Sequence, residues 1–245
     1  MIPPAKPDWE KHALFLDLDG TLAPIVDDPA NVRLSSDTLA ALKRLGILTG
    51  GAMAIVTGRE LSDLDGLVGV VTPYAAGSHG LEIRDPYGVS ATMADGEARL
   101  SKAADTLGDF AKANNLRIEL KAGAIALHYR SKPGLGELCR KLVEAAAIKD
   151  SGLRSMHGNM VSEVALAGID KGTALHQFMR TGPFVGRIPV MAGDDVTDED
   201  AIIAAQELGG FGIKVGGAPS VARYRVEDTE TFLSWLSRVS WIEDG

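Results

Sequence analysis

The feature that most constrains the fold is a set of short apolar runs, each ending in a polar cluster. Residues 12–18, HALFLDL, are too short for a buried helix and lack polar alternation. They read as a strand with both faces covered, ended by a turn signal at Gly20. Runs of the same kind recur in GAMAIVTGR (51–59), VTPYAAGSHG (71–80), IPVMAGDD (188–195) and GFGIKVG (210–216). Between them lie segments with helical spacing, such as SSDTLAALKRLGIL (35–48), ELSDLDGLVG (60–69), KGTALHQFMRT (171–181) and DEDAIIAAQEL (198–208). A last amphipathic helix, TETFLSWLSRV (229–239), closes the pattern. Alternation of strand and helix is the signature of a doubly wound, Rossmann-like parallel sheet.

Between residues 83 and 165 the texture changes. LEIRDPYGVSATM (81–93) reads as a hairpin around Pro86 and Gly88, and RIELKAGAIALHYR (117–130) as two strands joined at Ala122-Gly123. GLRSMH (152–157) and MVSEVAL (160–166) read as a pair turned at Gly158-Asn159, with helices over 97–115 and 134–149. Adjacent strands joined by tight turns imply antiparallel pairing. The expected organisation is an α/β core from residues 1–82 and 166–245, with an α+β cap domain inserted over 83–165.

The chain's 245 residues are 45% hydrophobic, so a packed core is expected. A net charge of −8 argues against nucleic-acid binding, which needs a basic face. It leaves room for an anionic small substrate, since a metal and a few local cations can reverse the field in one cleft. The single cysteine, Cys139, permits no intrachain disulfide and reads as a small apolar residue within a helix. No apolar run is long enough to span a membrane, and the first 13 residues lack the apolar segment of a signal peptide. A cytoplasmic location is therefore expected.

In open parallel sheets ligands sit at the carboxyl ends of the strands. Three of the strands end in polar clusters: DLDGT (17–21), TGR (57–59) and GDDVTDED (193–200). Thr197 or Asp198 could simply cap the following helix, where acids are favoured by the dipole. Capping uses one side chain, whereas Asp17, Asp19, Asp194 and Asp195 would share one sheet edge. So many carboxylates repel and lose solvation unless a cation is bound. Oxygen-only ligands suit a hard divalent ion, and Mg²⁺ fits best. Lys171 opens a helix, where the macrodipole opposes a positive charge, so a nearby anion is one reading and a solvated lysine the other. Thr57 offers a hydroxyl to a phosphate oxygen. Together these are the parts needed for phosphoryl transfer.

The four clusters, DLDGT, TGR, Lys171 in IDKG and GDDVTDED, resemble the motifs of the haloacid dehalogenase superfamily of phosphotransferases, in the same order. The resemblance implies that Asp17 is the nucleophile that forms an aspartyl phosphate, and that Asp19 moves the proton. Thr57 and Lys171 would hold the phosphoryl group. Mg²⁺ would be bound by the Asp17 carboxylate, the Asp19 carbonyl and Asp194, with Asp195 and Asp198 orienting ligands and waters. An α+β cap between the second and third motifs is similar to that of the sugar-phosphatase branch. Within that branch DLDGTLAPIVDDP, VTGR, GSHGLEIRD, KAGAIALHYR, VSEVALAGIDKG, GRIPVMAGDDVTDEDAI and the closing LSWL resemble the trehalose-6-phosphate phosphatase family.

That likeness implies a phosphorylated disaccharide as substrate, with a trehalose-phosphate synthase as candidate protein partner. Gly20, Arg59, His79, Lys121, His128, Arg130 and Glu163 would contact the substrate. His128 and Arg130 are two apart, so on a strand they share one face, and a solvated face is the alternative reading. The chain departs from the family pattern at Asn159 and at Ala165-Leu166, away from the four motifs. Phosphatases acting on glucosylglycerol, sucrose or mannosylglycerate phosphates are the nearest rivals. An inactive regulatory subunit is a more distant one, disfavoured because Asp17, Asp19 and Asp194 are all present.

Overall fold

The computed structural model describes residues 4–26, 28, 31–69, 71, 73–91, 96–121 and 123–241. Asp27 and Pro29 of the DDP stretch, Thr72, Thr92, Met93 and Ala122 lie outside the described residues. The chain divides into two compact units, one from residues 1–90 and 170–245 and the other from residues 91–169.

The first unit is built on an eight-stranded sheet. Strand β1 (His12–Leu16) lies between β10 (Ile188–Gly193) and β2 (Met53–Val56), in parallel with both. Outward on one side lie β11 (Phe211–Val215) and β12 (Tyr224–Val226), and on the other β3 (Tyr74–Gly77), β4 (Glu82–Asp85) and β5 (Gly88–Ala91). The chain thus leaves β1 in one direction and returns through β10 on the other flank, which places the strand-order reversal beside β1.

Alternate residues of β1 explain the layering. Leu14 and Leu16 enter a core with Leu42 and Leu45 of α1 (Ser36–Leu48) and Phe232, Trp235 and Leu236 of α7 (Thr229–Val239). Ala13 and Phe15 enter the opposite core, with Leu175 and Phe178 of α5 (Lys171–Phe178) and Ala201 and Ile202 of α6 (Glu199–Glu207). A strand wholly buried on both faces is what the unalternating apolar run demands. Helix α2 (Leu61–Val68) adds Leu61 and Leu64 to the first core.

Two sequence expectations need correction. Of the hairpin expected over 81–93, the residues up to Ser90 do not belong to the inserted unit: β4 pairs antiparallel with β3, matching Ala76 with Ile83 and Gly77 with Glu82. Its residues therefore extend the core sheet, and the inserted unit begins after Ser90 rather than at 83. At the other end it runs to Ile169, past the expected 165, because β9 (Val161–Leu166) pairs through its last residue with Leu153. Strand β12 is a further element that the sequence does not announce. It is three residues long, and so short an edge strand has no readable period.

The inserted unit has an antiparallel sheet in the order β6 (Arg117–Lys121), β7 (Ala124–His128), β9 and β8 (Leu153–Gly158). Helices α3 (Gly96–Asn114) and α4 (Gly136–Ile148) pack on it. Ile125, Leu127 and Val164 are buried. The alternate residues, opposite in register, are Glu119, Ala126 and Glu163 in one row, with Lys121, Ala124 and Ala165 in the next. Strand alternation therefore gives this sheet an apolar face for its helices and a polar one. No described helix is long and apolar enough to cross a membrane.

Candidate active site

The carboxyl ends of β1, β2 and β10 bring together the core residues expected from sequence. Asp17 follows β1 directly, and its backbone N–H donates to Ala192 O of β10. Its side chain is buried, and Oδ1 accepts a hydrogen bond from Lys171 Nζ at 2.6 Å. The same ammonium donates to Asp198 Oδ1 at 2.7 Å. Lys171 is only 3% exposed, so the solvated-lysine reading fails. Its helix begins with a capping box, in which Asp170 accepts from Thr173 N and offsets the misplaced cation.

The electrostatics of this triad follow from burial. Loss of solvation pushes Asp17 up to about 7; Lys171 opposes the shift and Asp198 adds to it. Burial works to lower the Lys171 value, but Asp17 and Asp198 outweigh it and hold the ammonium above the usual lysine range. Burial also pushes Asp194 up to about 6, with Asp198 and Asp195 reinforcing it.

Asp17, Asp194 and Asp198 each present a carboxylate oxygen within 4.8 Å of the others. Asp17 Oδ2 and Asp194 Oδ1 are buried without a hydrogen-bond partner. Both Asp198 oxygens are engaged, one by Lys171 and the other by the backbone N–H of Asp195 at 2.9 Å. Two orphaned, buried carboxylate oxygens are a fitting donor set for a hard cation, while Asp198 orients its neighbours. Asp195 is exposed and, through that bond and its own side chain, closes a capping box around Val196–Asp198. Thr197 or Asp198 was expected to cap the following helix; instead α6 begins after Asp198 with no side-chain cap bond, and the capping box closes the turn before it.

Asp19, two residues beyond Asp17, is held by Arg59. The guanidinium donates through Nε and NH2 to the two carboxylate oxygens, each at 2.6 Å. Arg59 was expected to contact substrate; the structure pairs it with Asp19. Thr57 is buried at the end of β2, and its Oγ1 accepts from Arg59 N at 3.2 Å. His79 sits at φ 58°, after Ser78 at φ 48°. Two successive non-glycine residues in the left-handed region store strain of the kind found where side chains must be aimed. Backbone bonds from Ser78 N to Arg59 O and from His79 N to Thr57 O fasten this turn to the TGR loop. A Cβ on Gly58 would meet the His79 ring at 2.6 Å, so only glycine admits the imidazole.

Gly20 was also expected to contact substrate. Its N–H donates to Ala23 O and its carbonyl accepts from Thr229 Oγ1, so its backbone groups are engaged within the chain. At φ 85°, a Cβ there would collide with the Asp194 carboxylate. The glycine lets the loop after β1 approach Asp194.

In the inserted unit, Lys121 Nζ donates to Glu163 Oε1 at 2.8 Å, across the strand between them. His128 Nε2 lies 2.8 Å from Glu119 Oε2, and that bond holds the Glu119 carboxyl below its usual range. Arg130 does not share the strand face of His128. β7 ends at His128, Tyr129 N bonds Met160 O, and Arg130 lies exposed in the turn just beyond.

Sequence reasoning missed Glu119 and Lys214. Glu119 alternates with Lys121 on β6, so the two-residue period could have found it. Lys214 is only 1% exposed, and its signal was one lysine inside the apolar run GFGIKVG.

The fold is similar to that of a phosphatase of the haloalkanoate (HAD) enzyme superfamily from Bacteroides thetaiotaomicron, which superposes with a TM-score of 0.65 at 18% identity and covers 99% of each chain. The model of the family described as trehalose-phosphatase matches residues 15–230. The trehalose-6-phosphate phosphatase of Escherichia coli is 34% identical over 233 residues, covering 94% of this chain and 87% of its own. A probable trehalose-phosphate phosphatase of Sinorhizobium fredii is 38% identical, covering 85% and 79%. Among solved structures, the Aspergillus fumigatus trehalose-6-phosphate phosphatase superposes with a TM-score of 0.75 at 25% identity, covering 95% of this chain and 94% of that one. The chain belongs to the trehalose-phosphatase family.

Proposed function

We propose that the chain hydrolyses trehalose 6-phosphate to trehalose and phosphate through an aspartyl phosphate on Asp17, in the presence of Mg²⁺. The observation that carries the reaction is the buried Asp17–Lys171–Asp198 triad beside two orphaned carboxylate oxygens. An Asp17 oxygen attacks phosphorus as the bond to the sugar oxygen breaks. Asp19 donates a proton to that leaving oxygen, then takes one from the water that attacks the aspartyl phosphate and restores Asp17. Lys171 and the Thr57 hydroxyl hold the phosphoryl oxygens. Asp17, Asp194 and the Asp19 carbonyl are the groups that would hold Mg²⁺, which when bound offsets the charge of phosphate and carboxylates. Arg59 holds Asp19 by donating to both its oxygens, and one of these bonds is released when Asp19 carries the proton.

The substrate reading rests on the relatives and on the polar sheet face of the inserted unit. Lys121, His128 and Glu163, with Glu119, present donors and acceptors suited to sugar hydroxyls. Phosphate release from a panel of sugar phosphates, with Mg²⁺ and with chelator, tests it. Trehalose 6-phosphate should be the preferred substrate, and chelator should abolish turnover. Equal rates on several monosaccharide phosphates would sink the substrate assignment while leaving the reaction standing.

A further inference from the structure

We propose that Lys214 is a positioning residue that fixes the peptide carrying Asp194, and so sets the affinity of the site for its cation. The inference rests on the Mg²⁺ reading above. Lys214 is the penultimate residue of β11, level with Gly193 at the end of β10, and immediately beyond Gly193 the chain turns into Asp194 and Asp195. Its strand neighbours Ile213 and Val215 point into the core shared with α7. Alternation therefore sends Lys214 to the other face, the side on which Gly212 meets Ile202 of α6.

A lysine buried to 1% exposure is costly unless its ammonium is fully partnered. Here the closest partner is not a carboxylate. Nζ donates to the Asp194 carbonyl at 2.5 Å and to the Asp195 carbonyl at 3.3 Å, while Glu199 Oε1 lies farther off at 3.7 Å. The ammonium thus grips two successive carbonyls of the loop that aims the Asp194 carboxylate. That carboxylate presents the orphaned Oδ1 and is pressed against Gly20. None of the transfer steps uses Lys214, yet the strand end it occupies decides where one of the two open oxygens points. Groups that orient metal ligands in this way commonly change affinity by about 10–100-fold when removed.

Charge and position make opposite predictions. If Lys214 acted only as a positive charge near Asp194, removing it would tighten binding of a divalent cation. If it acts by holding the carbonyls, removal loosens binding. The test is calorimetric titration of the metal-free full-length chain with MgCl2, for the wild type and Lys214→Met, alongside melting temperature and the Mg²⁺ dependence of turnover. The expected result is Mg²⁺ binding weakened by about tenfold or more, with a matching rise in the Mg²⁺ needed for half-maximal rate. KM for the sugar phosphate at saturating Mg²⁺ should stay near the wild-type value, because Lys171 and Thr57 are untouched. Unchanged or tighter Mg²⁺ binding overturns the proposal, as does a KM that rises in step with the loss of metal affinity. Should Lys214→Met not fold, Lys214→Leu, which likewise lacks a donor, is judged by the same two criteria. A wild-type chain that binds no Mg²⁺ overturns the metal reading and this proposal together; wild-type binding with an unaltered variant overturns this proposal alone.

Discussion

The polar residues of the two units are held in different ways. In the core, Asp17, Lys171 and Asp198 are 4%, 3% and 0% exposed, and the ammonium joins the two carboxylates at 2.6 and 2.7 Å. In the inserted unit, the pairs Lys121–Glu163 and His128–Glu119 are partly exposed, with side chains at 39%, 18%, 30% and 37%. A buried, mutually paired set cannot change partners without leaving a bare charge, so it keeps one geometry. A half-exposed pair loses little when it separates, so its members can exchange each other for a ligand. The same types of side chain are thus fixed in one place and free to exchange partners in the other, and burial makes the difference.

The sharpest way to break that contrast is Asp17→Asn. Turnover should fall by at least about 10⁴-fold, the scale seen when a nucleophile is removed. The melting temperature should stay near the wild-type value, since Lys171 keeps Asp198 and a buried charge is gone. Steady-state phosphate release and scanning calorimetry check the two halves. A variant with ordinary rates would remove Asp17 from the nucleophile role.

The matching change in the other unit is Glu163→Gln. Losing a charged acceptor of a sugar hydroxyl costs about 1.5–3 kcal/mol, roughly a 10–100-fold loss in kcat/KM. The loss should fall mostly on KM, and hydrolysis of a small aryl phosphate with no sugar to recognise should be unaffected. Equal losses on both substrates would mean that Glu163 acts through the fold and not through the sugar.

These two regions were also unequally legible in the sequence. DLDGT, TGR and GDDVTDED could be read because each follows a strand whose apolar run carries no ambiguity of face, and Lys171 because it opens a helix that disfavours a cation. Their convergence is then a matter of sheet topology alone. Arg130 was misread because a two-residue period holds only while the strand lasts, and β7 ends two residues earlier. Residues 83–90 were assigned to the inserted unit because antiparallel pairing shows locally, while the sheet they join does not. Lys214 stayed hidden for a related reason. One lysine in a strand pattern looks like an exposed position, and only the neighbouring strand's loop supplies the carbonyls that allow its burial.

The smallest effect, and the most direct probe of the buried set, is pH. Asp17 is pushed up to about 7 and Asp194 up to about 6, well above the ordinary carboxylate range, with burial as the largest cause in each case. A carboxyl raised in the folded state binds more protons there than in the unfolded chain. The metal-free protein should therefore lose stability as pH climbs from about 4 to about 7. Cation binding needs both carboxylates ionised. At pH 5 the ion must displace protons from the folded state, and at pH 7.5 it meets charges that already repel each other. Melting-temperature measurements at a fixed Mg²⁺ concentration should thus show a larger rise at pH 7.5 than at pH 5. In a chain of this length, each kcal/mol of differential binding would appear as about 2–4 °C. An equal shift at both values would mean that the two orphaned oxygens are not where the cation binds. The paired face of the inserted unit has no such buried carboxyls, so substitutions at Lys121 or Glu163 should leave this pH difference intact, whereas Asp194→Asn should erase most of it.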